Sequence, residues 1–367
     1  MAIQDMDMTT EEAKITTILS YFPHDPSLES LVFIPRFRQR LSILSQWSIP
    51  PGSRVLDIGC GQGDSSLALA LELGPTCHVT GIDTAPPDYG TPMTISHSQE
   101  KILQSSLGNR LAFHNEVDAA TFFNLKLQGQ GGGSAGADEG GARFNFDAAT
   151  ACHSLFYFPS HSSVASLFHE LATTAGIKKV YVAEYDPSSF SPSSSSSFAM
   201  TWTPQTPHVL AAKAQALYYA YKAAEADVVK EKKQQQLGHI PPNKNEELLP
   251  LNIRAAPDVE TITRAAAEAG YKVARQGKFT PGEDYLEGHF ETRYVRGERF
   301  EARVKETGLD KEKEDEILGV VAEVRRAYEV MEGNMKVDKV RCMDVWWGEF
   351  EMEVEVDGEG EGEGEGE

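Results

Sequence analysis

Long apolar runs and targeting signals are missing from this chain of 367 residues. No run approaches the ~20 apolar residues that a helix needs to cross a bilayer. The first residues, MAIQDMDMTTEEAK, have neither the basic nor the apolar region of a signal peptide and are too acidic for a transit peptide. We therefore expect a cytoplasmic protein with no membrane partner.

Cysteine is scarce as well. The four cysteines are scattered and form no CxxC pair: Cys60, Cys77, Cys152 and Cys342. Closely spaced pairs would indicate a metal or redox site, whereas scattered cysteines are typical of reduced intracellular thiols. The sequence thus predicts free thiols and no bound metal.

Positive charge is the third deficit. The chain has 34 Lys and Arg residues against 55 Asp and Glu residues, which gives a net charge of −21. Nine of the acids lie in residues 351–367, so residues 1–350 still carry about −12. A nucleic-acid partner requires a basic surface that displaces counterions. The composition therefore argues against nucleic acid and favours a small-molecule partner, but it leaves the oligomeric state open.

Apolar strands that alternate with helices are what the sequence does contain. Five predicted strands are SRVLDIG (53–59), CHVTGID (77–83), NRLAFHNEV (109–117), FNFDAATACHS (144–154) and IKKVYVAEYD (177–186). Two more follow as YKVARQGKF (271–279) and KVRCMDVWWGEFEMEV (339–354). Buried-looking strands separated by helices predict an open α/β sheet that is mostly parallel and has helices on both faces.

A glycine-rich loop directly follows the first strand, in VLDIGCGQGDSS (55–66). In open parallel sheets, ligands bind at the carboxyl ends of the strands, and glycines there let a ligand approach the backbone. The dinucleotide pattern GxGxxG fails here, because Asp64 or Ser66 occupies its third glycine position. A phosphate loop also fails, because the segment has no lysine.

The remaining spacing, D-x-G-x-G-x-G, resembles the first motif of class I S-adenosylmethionine (SAM)-dependent methyltransferases. The resemblance implies a Rossmann-like fold with seven strands, an antiparallel last strand and a helical lid insertion. It also implies SAM as the cofactor and S-adenosylhomocysteine (SAH) as its product. The Gly/Ser-rich inserts and the low-complexity tail are similar to those of fungal members that act on small molecules.

Several cofactor contacts follow from this resemblance. Asp57 and the helix that follows the loop suit the amine and carboxylate of SAM, and Asp83 occupies the family position that holds both ribose hydroxyls. Asp118 occupies the position that meets the adenine amino group, although it could instead be a plain helix cap. The expected cofactor-binding residues are Asp57, Gly59, Cys60, Gly61, Gly63, Asp83, Thr84, Asp118, Ala119 and His153.

The acceptor side carries weaker signals. His153 follows the fourth strand and is the candidate catalytic base, since an imidazole can take a proton from a hydroxyl or an acid. The alternative is a histidine that only packs near the cofactor. Candidate acceptor-binding residues are Tyr157, His208, Tyr218 and Arg254. The alternative is ordinary packing, or an ion pair of Arg254 with Glu260 or another surface acid.

The sequence thus predicts SAM-dependent methylation of an oxygen or nitrogen of a small molecule such as a secondary metabolite. Two alternatives stay open: a SAM-binding pericyclase or isomerase on the same fold, and a non-catalytic SAM-binding regulator. We expect an N-terminal helical segment (1–50), a SAM-binding α/β core (51–186), a helical lid or insertion (187–256), a C-terminal part of the core with inserted helices (257–352) and a disordered acidic tail (353–367).

Overall fold

The computed structural model describes residues 10–90, 93–128, 144–190, 202–234 and 253–352. The acidic tail at 353–367, which the composition predicts to be disordered, lies outside the described residues. Of the glycine-rich segment at 128–142, only residue 128 is described.

A single sheet of seven strands lies at the centre of the fold, in the order β3-β2-β1-β4-β5-β7-β6. The strands are β1 (Arg54–Ile58), β2 (His78–Ile82), β3 (Leu111–His114), β4 (Ala148–Cys152), β5 (Lys179–Tyr185), β6 (Tyr271–Phe279) and β7 (Val345–Met352). The first five strands pair in parallel, and β7 runs antiparallel to both β5 and β6. The predicted seven-stranded sheet with an antiparallel last strand is confirmed.

Helices cover both faces of this sheet. They are α1 (Glu11–Tyr21), α2 (Ile34–Gln46), α3 (Asp64–Glu72), α4 (Ile95–Leu103), α5 (Ala119–Leu127), α6 (His161–Thr173), α7 (Thr206–Gln234), α8 (Val259–Glu268), α9 (Glu287–Val295), α10 (Glu298–Glu306) and α11 (Lys311–Val330). Successive strand residues point to opposite faces. Val55 accordingly packs with α1, α2 and α3, whereas Leu56 packs with α5, α6 and α8.

A layer of helices is added to the core by α7, α9, α10 and α11. Ala211, Ala214 and Tyr218 of α7 pack against Phe300 of α10 and Val321 of α11 in one fully buried cluster. Helix α7 of the insertion and the helices α10 and α11 are therefore packed together. None of the helices in the described part of the chain is long and apolar enough to cross a membrane.

The N-terminal helical segment differs in one detail from the expectation. The sequence predicts helix over residues 10–48 with a break at Pro35. Instead α1 ends at Tyr21, and Pro35 lies in the first turn of α2. A first-turn proline is tolerated because its missing N–H would have no partner inside the helix. A π-helical turn at Glu29–Phe33 leads directly into α2, so the helical backbone continues through Pro35 instead of breaking there.

Candidate active site

The glycine loop between β1 and α3 has the backbone that its sequence suggests. Gly59, Gly61 and Gly63 all have positive φ, at +69°, +49° and +88°. A Cβ atom on Gly59 would lie 2.6 Å from the Cβ of Ser154, so that position is closed by packing. A Cβ atom on Gly61 would meet nothing within 4 Å. The loop therefore leaves open space on one side, at Gly61, which is what a ligand approaching the backbone needs.

Asp57 of β1 supports this loop from the strand that precedes it. Its carboxylate is fully buried and accepts hydrogen bonds from the hydroxyls of Ser65 (2.7 Å), Ser66 (2.6 Å) and Thr150 (3.0 Å). Burial raises the pKa of Asp57, and the three hydroxyl donors act in the opposite direction. These bonds tie β1 to α3 and β4, whereas the contact with the amine of SAM stays a prediction.

Asp83 clamps the same loop from the neighbouring strand. It follows β2, and its two carboxylate oxygens accept from the backbone N–H groups of Gly61 (2.7 Å) and Ala85 (2.8 Å). Burial raises the pKa of Asp83, while these two donors lower it. A carboxylate thus lies directly beside the open side of Gly61.

Two polar residues that the sequence did not single out complete the support of the loop. The amide nitrogen of Gln99 in α4 donates to the carbonyl of Gly61 (2.8 Å). Gln99 and Asn115 also exchange hydrogen bonds of 3.1 and 2.8 Å between their side-chain amides. Gln99 is buried. The only feature of the sequence that could have indicated its role is a glutamine on the apolar face of an amphipathic helix.

Asp118 adopts the alternative role that the sequence left open. It is the N-cap of α5, is exposed, and accepts from the backbone N–H of Thr121 (2.7 Å). Nearby, Cys60 is buried, Thr84 is exposed and Ala119 is buried at the start of α5. Capping uses one of the two carboxylate oxygens of Asp118, so the other can still accept from an adenine amino group. That contact stays a prediction.

His153 lies at the end of β4, beside the loop. It is a non-glycine residue with φ +52°, held by a hydrogen bond from its N–H to the carbonyl of Ala183 (2.8 Å). Residues held in such sparsely populated conformations cluster at functional sites. Its ring is buried and lies 4.4 Å from the ring of Tyr185, between centroids. Burial lowers the pKa of His153, so the ring favours its neutral form.

Glu184 of β5 is the acid next to this histidine, and the sequence did not single it out. Its Oε1 lies 3.4 Å from Nδ1 of His153, too poorly aligned to count as a hydrogen bond. Glu184 is fully buried and accepts from the backbone N–H groups of Phe156 and Tyr185. Neither ring nitrogen of His153 has a hydrogen-bond partner among the described residues.

Helix α2 adds two half-buried arginines on the same side. Arg40 donates from Nε to Asp64, the first residue of α3, at 3.0 Å, and Arg36 pairs with Glu287 of α9 at 2.6 Å. Burial acts to raise the pKa of Asp64, but the two guanidinium groups outweigh it and hold that pKa below its usual range. Nη1 of Arg40 is buried and has no partner within the described part of the chain.

The comparisons with known proteins agree with this geometry. A family model described as a methyltransferase domain matches residues 49–87, which contain β1, the glycine loop and β2. Two proteins of Diaporthe leptostromiformis, methyltransferase phomM and methyltransferase phomM', are each 38% identical to this chain and cover 94% of it and 91% of their own length.

The chain belongs to the SAM-dependent methyltransferases. A solved structure of a cyclopropane-fatty-acyl-phospholipid synthase-like protein from Lactobacillus casei has the same fold. Its TM-score is 0.63 at 24% identity, over 94% of this chain and all of that one. The family membership and the Rossmann-like fold that the first motif implied are both confirmed.

The cofactor of this methyltransferase is SAM, and the residues present fit it. The open side of Gly61 and the Asp83 carboxylate lie at the carboxyl ends of β1 and β2, which pair in parallel. Open α/β sheets bind their ligands at that edge. Among the described residues, no group of histidine, cysteine, aspartate and glutamate side chains could hold a metal ion.

The geometry argues against acceptor contacts by two of the predicted residues. His208 is completely buried; Nε2 lies 2.7 Å from Glu291, and Nδ1 accepts from the backbone N–H of Met343 at 3.0 Å. Both ring nitrogens are therefore occupied. The Tyr218 hydroxyl is 3.0 Å from the hydroxyl of Thr307 and accepts from Nε of Arg303, so it ties α7 to α10.

The other two predicted acceptor residues lie on the site side of the fold. Tyr157 is 38% exposed, yet desolvation raises the pKa of its hydroxyl, with Glu291 and Glu287 adding to the effect. The guanidinium carbon of Arg254 lies 5.4 Å from the ring centroid of Tyr219. Its Nε is buried without a partner among the described residues.

The predicted alternative for Arg254, an ion pair with Glu260, is wrong. Glu260 instead lies next to Arg264, one turn along α8.

The contrast between two glycines gives a first testable prediction. Gly61 and Gly176 both have positive φ, and a Cβ on either would meet nothing within 4 Å. We expect Gly61→Ala and Gly176→Ala each to lose roughly 1–2 kcal/mol of stability from the same backbone strain. Only Gly61→Ala should also weaken SAH binding, by at least about tenfold (~1.4 kcal/mol), because its Cβ enters the ligand space. Thermal unfolding and titration calorimetry on both variants measure this, and equal SAH affinity would contradict it.

Proposed function

We propose that this methyltransferase transfers the methyl group of SAM to an oxygen or nitrogen of a small-molecule acceptor, with His153 as the catalytic base. SAM, when bound, supplies a methyl group that its sulfonium has already activated. The protein must then align the acceptor and, where the acceptor carries a proton, remove it. The observation that carries the proposal is His153, which lies next to the glycine loop. Its backbone is held at a positive φ, and its imidazole is buried without a hydrogen-bond partner in the described chain.

His153 is suited to that role in its neutral form. Burial lowers its pKa, so the ring is unprotonated and able to accept a proton. Glu184, 3.4 Å from Nδ1, favours the tautomer that carries its hydrogen on Nδ1. Nε2 then keeps the lone pair that takes the proton of the acceptor in this proposal. In this proposal Glu184 is a positioning residue.

The cofactor contacts in this proposal come from both sides of the loop. Each oxygen of Asp83 accepts one backbone hydrogen bond, and a carboxylate oxygen can accept a second, so both remain able to bind a ribose hydroxyl. Gly59, Gly61 and the start of α3 provide backbone for the methionine part of SAM. Asp118 and Ala119, at the start of α5, meet the adenine.

The buried side chains around the acceptor side of the site support the proposal of a small acceptor. Phe156 comes shortly after β4, and Tyr185 is the last residue of β5. Their side chains are 1% and 4% exposed. They pack with Ala212 of α7, Ile253 and Tyr285 in one buried cluster. A macromolecular acceptor would need an open face at this point, and the acidic composition disfavours nucleic acid.

Labelled cofactor tests the proposal directly. The protein is incubated with methyl-labelled SAM and a library of small alcohols, phenols, acids and amines. Label on an acceptor, with SAH formed in equal amount, is the expected result. Conversion of a compound while SAM stays intact would support a pericyclase-type enzyme instead. Calorimetry with SAH is the independent check, since failure of the wild type to bind it would end the proposal. Removal of residues 353–367 should leave methyl transfer intact, which separates an enzyme from a regulator that acts through its acidic tail.

A further inference from the structure

Helix α7 has two buried faces that perform different tasks. Ala211, Ala214 and Tyr218 pack against α10 and α11. Residues 208, 212, 215 and 219 form a second stripe, because positions three and four apart share one face of a helix. Gln215 thus lies in the middle of the second stripe.

This second stripe covers the loops that follow β4 and β5. The ring of His208 lies 5.2 Å from the ring of Tyr185, and Ala212 packs in the same cluster as Tyr185 and Phe156. At the other end of the stripe, the ring of Tyr219 lies 5.4 Å from the guanidinium carbon of Arg254. Tyr185 itself is in contact with His153. The stripe therefore faces the acceptor side of the site.

The side-chain amide of Gln215 has no hydrogen-bond partner among the residues that the structure describes. The residue is 1% exposed, and both its amide nitrogen and its amide oxygen are buried without a partner among the described residues. Leaving buried donors and acceptors unsatisfied destabilises a fold, so native proteins keep few of them. Tyr219 lies one turn along α7 from Gln215, and Nε of Arg254, whose guanidinium lies over the Tyr219 ring, is also buried without a partner among the described residues. Two unsatisfied polar groups on adjacent elements indicate a ligand that completes them.

We propose that Gln215 is a specificity-determining residue that binds the acceptor through its side-chain amide, and that the matching group is a carboxamide. This inference rests on the proposed function and adds the chemistry of the acceptor to it. A primary amide presents a carbonyl oxygen beside N–H donors, and a second carboxamide pairs with both at once. A ketone satisfies only the donor, and a carboxylate offers no N–H to the Gln215 oxygen. A site built to make such bonds rejects analogues that leave its polar groups unpaired.

Three probes of nearly equal shape test the inference: benzamide, acetophenone and benzoate. Their effect on the Tm of the full chain is measured with and without saturating SAH. We expect benzamide to raise the Tm clearly more than acetophenone or benzoate does. Gln215→Met, which conserves side-chain volume, and Gln215→Leu should both abolish that preference. Without any probe, both variants should raise the Tm by about 2–4 °C, because they remove an unsatisfied buried amide.

Other outcomes overturn the inference. A wild type that does not distinguish benzamide from acetophenone, or variants that keep the preference, would show that Gln215 does not contact such a group. A larger response to benzoate would assign carboxylate recognition to Arg254 instead. Calorimetry with SAH separates this from the cofactor site, since both variants should bind SAH as the wild type does. The probe series without SAH keeps the result for Gln215 independent of the proposed function.

Discussion

The rate of methyl transfer should fall by about 10²–10⁴-fold in His153→Asn, with SAH affinity unchanged within about twofold. Asparagine is the right replacement because, like histidine, it tolerates the positive φ of +52° found here. It keeps the backbone that donates to Ala183 and removes the imidazole base. Single-turnover rates with an accepted substrate and calorimetry with SAH measure the two quantities. An undiminished rate would leave His153 as a packing residue and refute its role as the base.

The pH dependence of the wild type follows from the same residue. The base works when neutral, so activity is lost as the pH falls through the pKa of His153. Because burial lowers that pKa, the acid limb of the rate profile should lie below the titration range of a free imidazole. His153→Asn should lose this limb.

Glu184→Gln tests the positioning role separately. The Glu184 carboxylate raises the pKa of His153 against the effect of burial, so its neutral replacement should move the acid limb to still lower pH. A purely structural role for Glu184 would change the rate or the stability but leave the position of the limb unchanged. The rate–pH profile of the folded variant distinguishes the two.

Asp83→Ala is the second change with a large expected effect. It removes a charged acceptor of two hydrogen bonds, worth ~1.5–3 kcal/mol, and should weaken SAH binding by about 10–150-fold. The same carboxylate accepts from the N–H groups of Gly61 and Ala85, so the loop that surrounds the ligand loosens as well.

Calorimetry with a matched control decides this prediction. Asp88→Ala removes an exposed acid from the segment that follows β2 and should bind SAH as the wild type does. Thermal unfolding of both variants shows whether the fold is retained. Equal affinity of Asp83→Ala and Asp88→Ala would place the ribose elsewhere.

The sheet could be predicted because its signals are local. Each parallel strand is a short apolar run, and the residues next to it in the sequence determine the turn or helix cap that follows. Helix α9, Glu287–Val295, was missed, because it contains Gly288 and three residues with branched or aromatic side chains at its carboxyl end. Its place is determined by packing: Gly288 lies so close to His208 that a Cβ would be 2.5 Å from Nδ1.

The sequence by itself determined the glycine loop, the acid after the second strand and, through them, the methyl donor. These signals are contiguous, so spacing alone reveals them. Only the tertiary structure decided which polar groups are brought together at this end of the sheet. Arg40 reaches Asp64 from another helix, His153 meets Glu184 across two strands, and Gln215 is buried by the elements that α7 covers. The sequence indicated His153 by its place after β4, but it gave no sign of these contacts or of this burial. What marks them is an unmet hydrogen bond or a buried charge, and burial exists only after the chain has packed.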